Sequence, residues 1–279
     1  MSKLIISLST IPPRFHELKP TIDCLLAQTA DVAGIYIYVP YKYRRFPDWD
    51  GTLPSVPDGI EIRRCDQDWG PATKVLAAAR DFRGQDVDIL FCDDDRAYDP
   101  KWAQRFVKDR EKFPRAAIAN LGLQAYMLAD SSEERDFQPR CKRTWRSTDI
   151  EFQLRYLWRE IKLGRNWRDA HPPPRRVFKR SGYVDVFEGC AGCLVRPEFF
   201  DDVAYDIPIE QRPVDDVWLS GMMARLGIPI WLHANVPEPA LTSAEPFAPL
   251  ATSVVDGLDR VTANRLCVEY MQKNFGVWL

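Results

Sequence analysis

Apolar positions from Leu4 to Leu8 form a short continuous run that breaks at Ser9-Thr10-Ile11-Pro12-Pro13, the pattern of a buried strand running into a loop. Pro20 to Gln28 reads as a helix. Ile35 to Val39 is β-branched and aromatic and stops at Pro40, and Ile60-Glu61-Ile62 alternates after the Pro57-Asp58-Gly59 turn, which predicts two more strands. Thr73 to Phe82 carries Leu76, Ala79 and Phe82 at helical spacing. Val87 to Cys92 is strand-like again and ends on three consecutive aspartates, Asp93, Asp94 and Asp95. Asp99-Pro100 then offers an N-cap and a proline at the first helical position.

This order predicts an α/β fold with a mostly parallel central sheet flanked by helices. Ligands of such sheets bind beyond the carboxyl ends of the strands, where the Ser9 to Arg14 loop and the aspartate triplet are both expected to face one pocket. From about 131 to 182 the pattern changes. Ile150, Leu154, Leu157, Trp158 and Ile161 follow helical spacing, while Ile150, Phe152, Leu154 and Tyr156 also alternate; a helix is the preferred reading. His171-Pro172-Pro173-Pro174 reads as an extended loop. Tyr183 to Phe187 predicts a strand, Gly189 to Gly192 a small-residue turn, Cys193 to Val195 a strand, Val217 to Leu226 a helix and Pro229 to His233 a last buried strand. No repeat or linker divides the chain, so a single domain is expected over 1–279: a first half to 125, a variable basic helical segment at 131–182, and a second half at 183–279 ending in a helix.

With 279 residues, 28% charged and 46% apolar, the chain can bury a large core around a deep site, and disordered, fibrous and membrane-spanning classes are excluded. Lys plus Arg is 38 and Asp plus Glu 40, so nothing global attracts nucleic acid and none is expected as a partner. The stretch from Arg140 to Arg180 departs from this balance, with 13 Lys or Arg against 4 Asp or Glu and aromatics interleaved. Arginine beside Trp and Tyr suits an anionic polymer or a peripheral membrane surface. The apolar run at the start is too short for a signal-peptide core and no run approaches the roughly 20 residues of a transmembrane helix, so a cytoplasmic protein, peripheral at the membrane through 140–180, is expected. Seven cysteines, odd in number and scattered, fit reduced thiols.

The candidate chemistry is acidic. Asp93, Asp94 and Asp95 repel one another unless a cation neutralises them, and at a strand end they can hold a divalent ion and leave positions for a diphosphate. The alternative is an acidic loop serving the next helix, a role Asp99 already fills. His233, after Trp231-Leu232, is a metal ligand only if a second strand end supplies carboxylates; imidazole with carboxylate and diphosphate oxygens suits Mn²⁺ or Mg²⁺. Asp215 and Asp216 open a helix, where one can cap and the other can serve as a general base. Lys74 sits in a first helical turn, where a cation is electrostatically misplaced, and Arg14 follows Pro12-Pro13; each points to an anionic partner or is a solvated surface cation. The Cys190-x-x-Cys193 spacing lacks the second ligand pair a structural zinc needs, and its small residues suit close backbone approach to a ligand.

Together, the opening loop through Arg14, the Leu18 to Gln28 helix, the D-x-D element Asp93-Asp94-Asp95, the Gly189 to Gly192 loop, Val214-Asp215-Asp216 and His233, in this order, resemble the metal-dependent glycosyltransferases of GT-A fold, family 2-like. The resemblance implies that Asp95 and His233 ligate Mn²⁺ or Mg²⁺ and that Asp93 and Asp94 touch the ribose or reach the metal through water. It further implies that Thr10, Arg14, Asp66 and Lys74 hold the nucleotide of a nucleoside-diphosphate sugar, a UDP-sugar first, and that Asp216 is the catalytic base beside Asp215, which replaces the family's glutamate. The first half would then bind the nucleotide sugar and the second a glycan or lipid-linked glycan acceptor, with inversion at the anomeric centre. Two other readings remain at this point. A nucleotidyltransferase of sugar phosphates would carry a glycine-rich loop after its first strand, where this chain has Pro12-Pro13; a non-catalytic module binding anionic polymer or membrane explains residues 140–180 alone.

Overall fold

The computed structural model describes residues 2–163, 175–248 and 258–279. Eight strands form the central sheet: β1 (Lys3–Ser9), β2 (Gly34–Pro40), β3 (Ile60–Cys65), β4 (Val87–Phe91), β5 (Ala117–Ala119), β6 (Gly182–Val184), β7 (Cys193–Val195) and β8 (Ile230–Leu232). They lie in the order β6-β8-β5-β7-β4-β1-β2-β3. β3, β2, β1 and β4 are mutually parallel, β7 runs antiparallel between β4 and β5, β8 is parallel to β5, and β6 closes the far edge antiparallel. This is the mostly parallel sheet expected from the strand and helix order.

Central strands buried on both faces read as unbroken apolar runs. β1 sends Leu4, Ile6 and Leu8 to one face with Leu90 of β4 and Leu194 of β7, and sends Ile5 to the other with Ile89, Phe91 and Val195. The helices cover those two faces: α1 (Lys19–Leu26) and α3 (Trp102–Lys112) pack on the first; α2 (Thr73–Asp81), α5 (Asp215–Arg225) and α6 (Arg260–Phe275) pack on the second. Each fully buried Ile, Leu or Phe of this layer contributes roughly 1.5–3 kcal/mol. α6 is closed at both ends by its own residues: Asp259 Oδ1 accepts the Thr262 amide at 2.8 Å, and Gly276 takes the left-handed φ of 66° that ends a helix.

The segment between the halves carries α4 (Ile150–Leu163), so helical spacing prevails there over alternation. The His171-Pro-Pro-Pro174 loop lies outside the described residues. Three expected elements are redrawn. α3 begins at Trp102, because Asp99 instead accepts the Lys101 amide through Oδ1 and the Trp102 amide through its carbonyl. Tyr183 to Phe187 divides into β6 and a ribbon strand, Val186–Phe187, paired with Gly122–Leu123; at the break Asp185 binds the Ala125 amide and Arg140. Gly189–Ala191 is a short 3-10 helix. All seven cysteines are free, Cys190 and Cys193 included.

Candidate active site at the carboxyl edge of the sheet

Beyond the carboxyl ends of β1 and β4 lies an open cleft, lined among others by Thr10, Arg14, Lys74, Asp93, Asp94, Asp95, Asp215 and Asp216. Its floor is the aspartate turn. Cys92 still donates its amide to Ser7 O of β1, and the chain then leaves the sheet, so the three carboxylates stand at the strand's end. Arg14 is brought over them by a 3-10 helix (Pro12–Glu17) that the two prolines initiate. Its Nη1 is 2.6 Å from Asp94 Oδ1 and 3.0 Å from Asp95 Oδ2, and its Nε donates to Phe247 O at 2.9 Å.

On the other side stands Lys74, in the first turn of α2 and buried. Its Nζ is 2.8 Å from Asp93 Oδ1 and 3.0 Å from Asp215 Oδ2, so the anionic partners a lysine requires at this position are carboxylates of the chain itself. Asp215 and Asp216 occupy the first turn of α5. Asp216 Oδ1 accepts the Gly189 amide at 3.1 Å, and its Oδ2 lies 3.8 Å from Arg260. Position 189 is tight: an added Cβ would fall 3.0 Å from Asp216 Oδ1, 3.2 Å from the Phe91 ring and 3.3 Å from Lys74 Nζ, so these neighbours would have to yield to any larger residue. The Gly189–Gly192 loop is tied down in turn: Tyr98 OH donates to Cys190 O at 3.1 Å and Trp102 Nε1 to Ala191 O at 2.9 Å.

Charge is unevenly settled in this cleft. Burial pushes the Asp93 carboxyl up, but Lys74, joined by Arg96 and Arg14, outweighs it and holds the group below the ordinary range. Burial and the neighbouring Asp93 and Asp94 raise Asp95 to about 6. Asp216 is held well above its ordinary value by burial and then by Asp215. Burial would strip Lys74 of its proton, yet Asp215, Asp93 and Asp216 together keep it firmly charged.

Among the described residues, Asp94 Oδ2 and Asp95 Oδ1 are buried without a hydrogen-bond partner, and Arg96 Nε lies 3.5 Å from the latter. Two orphaned carboxylate oxygens on one turn, one of them on a carboxyl that burial and like charge raise to about 6, fit a divalent cation that takes one or two carboxylates and completes its shell from substrate oxygens. No group of three His, Cys, Asp or Glu side chains among the described residues forms a self-sufficient metal cage.

Two expected site residues stand elsewhere. His233 follows β8, with β5 and β7 between that strand and β4; its Nδ1 lies 2.6 Å from Asp109 Oδ2 of α3, and it does not line the cleft. Asp66 is exposed, and it is Asp68 that faces the cleft, accepting the amides of Arg44 and Gly70 at 2.8 Å each. Tyr43, Arg44, Arg45, Phe46, Arg212 and Arg260 also line the cleft. They belong to loops or helix starts without periodicity, and the sequence offered no signal for them beyond their charge and aromaticity.

Fold and site thus define an α/β protein with a buried carboxylate–lysine–carboxylate brace, an acidic turn and an arginine rim in one cleft. No family model matches the sequence, and no curated protein matches it. Among solved structures, the chain is similar to GalNAc-T7 crystallised with UDP, GalNAc and Mn²⁺, at a TM-score of 0.46 and 10% identity, covering 83% of this chain and 42% of that one. It is also similar to S. aureus TarS 1-349, at a TM-score of 0.45 and 10% identity, covering 98% of this chain and 73% of that one. The chain therefore spans less than half of the GalNAc-T7 chain it resembles.

Proposed function

We propose that the protein is a metal-dependent glycosyltransferase that moves a sugar from a nucleoside-diphosphate sugar, a UDP-sugar first, to a hydroxyl of a glycan or lipid-linked glycan, with inversion. The observation that carries this reading is the juxtaposition in one cleft of the two orphaned oxygens of Asp94 and Asp95 with the Asp216 carboxyl on the Gly189 amide. A divalent ion, Mn²⁺ or Mg²⁺, would be held by Asp95 with its neighbours on the turn, and when bound supplies Lewis-acid stabilisation of the charge that develops on the departing diphosphate.

The chain's own residues account for the remaining roles. Thr10 and Arg14, which line the cleft beside the acidic turn, would receive the nucleotide, and the arginine rim would attract its phosphates. In the transfer, the bond from the anomeric carbon to the diphosphate oxygen breaks as the acceptor oxygen bonds to the same carbon. The acceptor's proton passes to an Asp216 carboxylate oxygen. A carboxyl raised by burial is a stronger base once ionised, which suits that task. Attack from the face opposite the diphosphate inverts the anomeric centre. Lys74 serves as a brace between the metal-side Asp93 and the base-side helix.

Calorimetric titration with UDP, with and without Mn²⁺, followed by UDP-, GDP- and dTDP-sugars, tests the donor side. Metal-dependent nucleotide binding is expected, and its absence from the folded protein removes the transferase reading. Asp95→Ala is expected to abolish the metal dependence of donor binding. Asp216→Asn is expected to leave donor binding unchanged and to slow transfer by about 10²–10⁴-fold; transfer at the original rate moves the base to another residue.

A further inference from the structure

Helix α4 presents to solvent the side that a helix of a folded domain ordinarily buries. Ile150, Leu154, Leu157, Trp158 and Ile161 are between 54% and 72% exposed, and Trp145, just before the helix, is 71% exposed. At about 100° per residue, the five helical positions fall within an arc of about 100°, with Arg155 and Lys162 along one flank beside Glu151, whose Oε1 lies 3.7 Å from Arg155 Nε. The opposite side is the one that packs. Phe152 is 3% exposed beneath the Arg175 guanidinium, whose Nε pairs with Asp149 Oδ2 at 3.1 Å, and Asp149 Oδ1 accepts the Phe152 amide at 3.1 Å. The helix is thus moored through its start and through Phe152, against whose ring Tyr156 stacks, with its apolar stripe turned outward. Lys162 Nζ lies 4.0 Å over the Trp158 ring, which keeps a cation at the margin of the stripe.

We infer that α4 with Trp145 is an in-plane anchor that seats this protein on an anionic lipid bilayer. The choice of partner follows from charge and shape together. Residues 140–180 carry 13 Lys or Arg against 4 Asp or Glu, so a second copy of the chain docked through the same stripe would set like charges against each other. A nucleic acid would match the charge and leave the Ile and Leu stripe in water. A bilayer with anionic headgroups takes both at once: the stripe enters the boundary between headgroups and acyl chains, Trp145 and Trp158 sit at headgroup depth, and the flanking cations meet lipid phosphates. The inference stands on this surface alone and does not depend on the chemistry of the cleft.

The test is sedimentation of the full-length protein with vesicles of phosphatidylcholine, and of phosphatidylcholine mixed with phosphatidylglycerol, at low and high salt. Binding to the mixed vesicles, weakened by salt and absent from pure phosphatidylcholine, is expected. Leu154→Ser combined with Ile161→Ser is expected to lower the bound fraction at least about tenfold. Arg155→Gln and Lys162→Gln are each expected to lower affinity about fivefold, the effect of one cation near an anionic surface. None of these side chains is in the core, so an unchanged unfolding midpoint and unchanged UDP titration certify the variants. Three results each overturn the inference: no vesicle binding by the folded protein, vesicle binding indifferent to the Leu154 and Ile161 substitutions, or removal of the protein from vesicles by a stoichiometric single-stranded RNA. A stripe-dependent dimer in the absence of lipid, seen by light scattering, overturns it as well.

Discussion

Lys74, itself buried, stands 2.8 Å from Asp93 and 3.0 Å from Asp215. A buried charge with two opposite partners is costly to disturb from one side, since the remaining charges are left without compensation. Lys74→Met is therefore expected to destabilise the fold by about 3–5 kcal/mol, read as a lowered urea midpoint. Glu188 is the converse case. Burial raises its carboxyl above the ordinary 4.5, only partly offset by Arg143. The unfolded chain releases this proton first, so between the unfolded and folded values the native state holds the extra proton and stability falls as pH rises. Glu188→Gln removes that slope, and its gain in urea midpoint over the parent is expected to be larger at neutral pH than at pH 4.5, the ordinary value. Residue type and position announced Lys74 and Asp216 in the sequence. Asp68 and the arginine rim were not announced, because a loop carries no period to say which of its polar residues turns inward. His233 was misplaced for a related reason: a strand end defines an edge of the sheet, but not which neighbour a side chain meets there.

At the scale of elements, the legible parts are those with one dominant physical demand. β1 and β4 are buried on both faces and read as apolar runs; α2 shows its period through Leu76 and Ala79. β5 is only Ala117–Ala119, too short and too small to stand out, and it is a strand because β7 and β8 bond to it on either side. The small residues of Gly189–Gly192 suggest close backbone approach to a ligand; the close approach in the structure is to side chains of the chain itself, Asp216 at Gly189 and Trp102 at Gly192. At Gly192 the backbone takes φ 89° and ψ 147°, a region open essentially to glycine, and an added Cβ would lie 2.4 Å from the Trp102 ring. Gly192→Ala is expected to cost about 1–3 kcal/mol from backbone strain alone. If the loop shifts to relieve it, the Gly189 amide leaves Asp216, and under the proposed function transfer is expected to fall more than donor binding. Thermal unfolding and the two titrations together separate those effects.

Across the whole molecule, the order of strands and helices in the first hundred residues announced a mostly parallel sheet. It did not announce that Cys193–Val195 returns to lie between β4 and β5. That placement is set by long-range pairing, Cys193 with both Phe91 and Ala119, which no local pattern encodes. It also gives the chain a fixed timetable. As the polypeptide emerges from the ribosome, β1 to β4 can assemble from neighbouring segments, but the outer edge of β4 stays bare until residue 195 is made. Insertion of that single antiparallel strand joins the two halves of the sheet and sets the Gly189 loop in place, and the loop's amide meets the Asp216 carboxylate once α5 has followed. A ribosome-bound chain arrested at residue 180 is accordingly expected to be protease-sensitive and prone to aggregate through β4, and one arrested well beyond 232 to be protected.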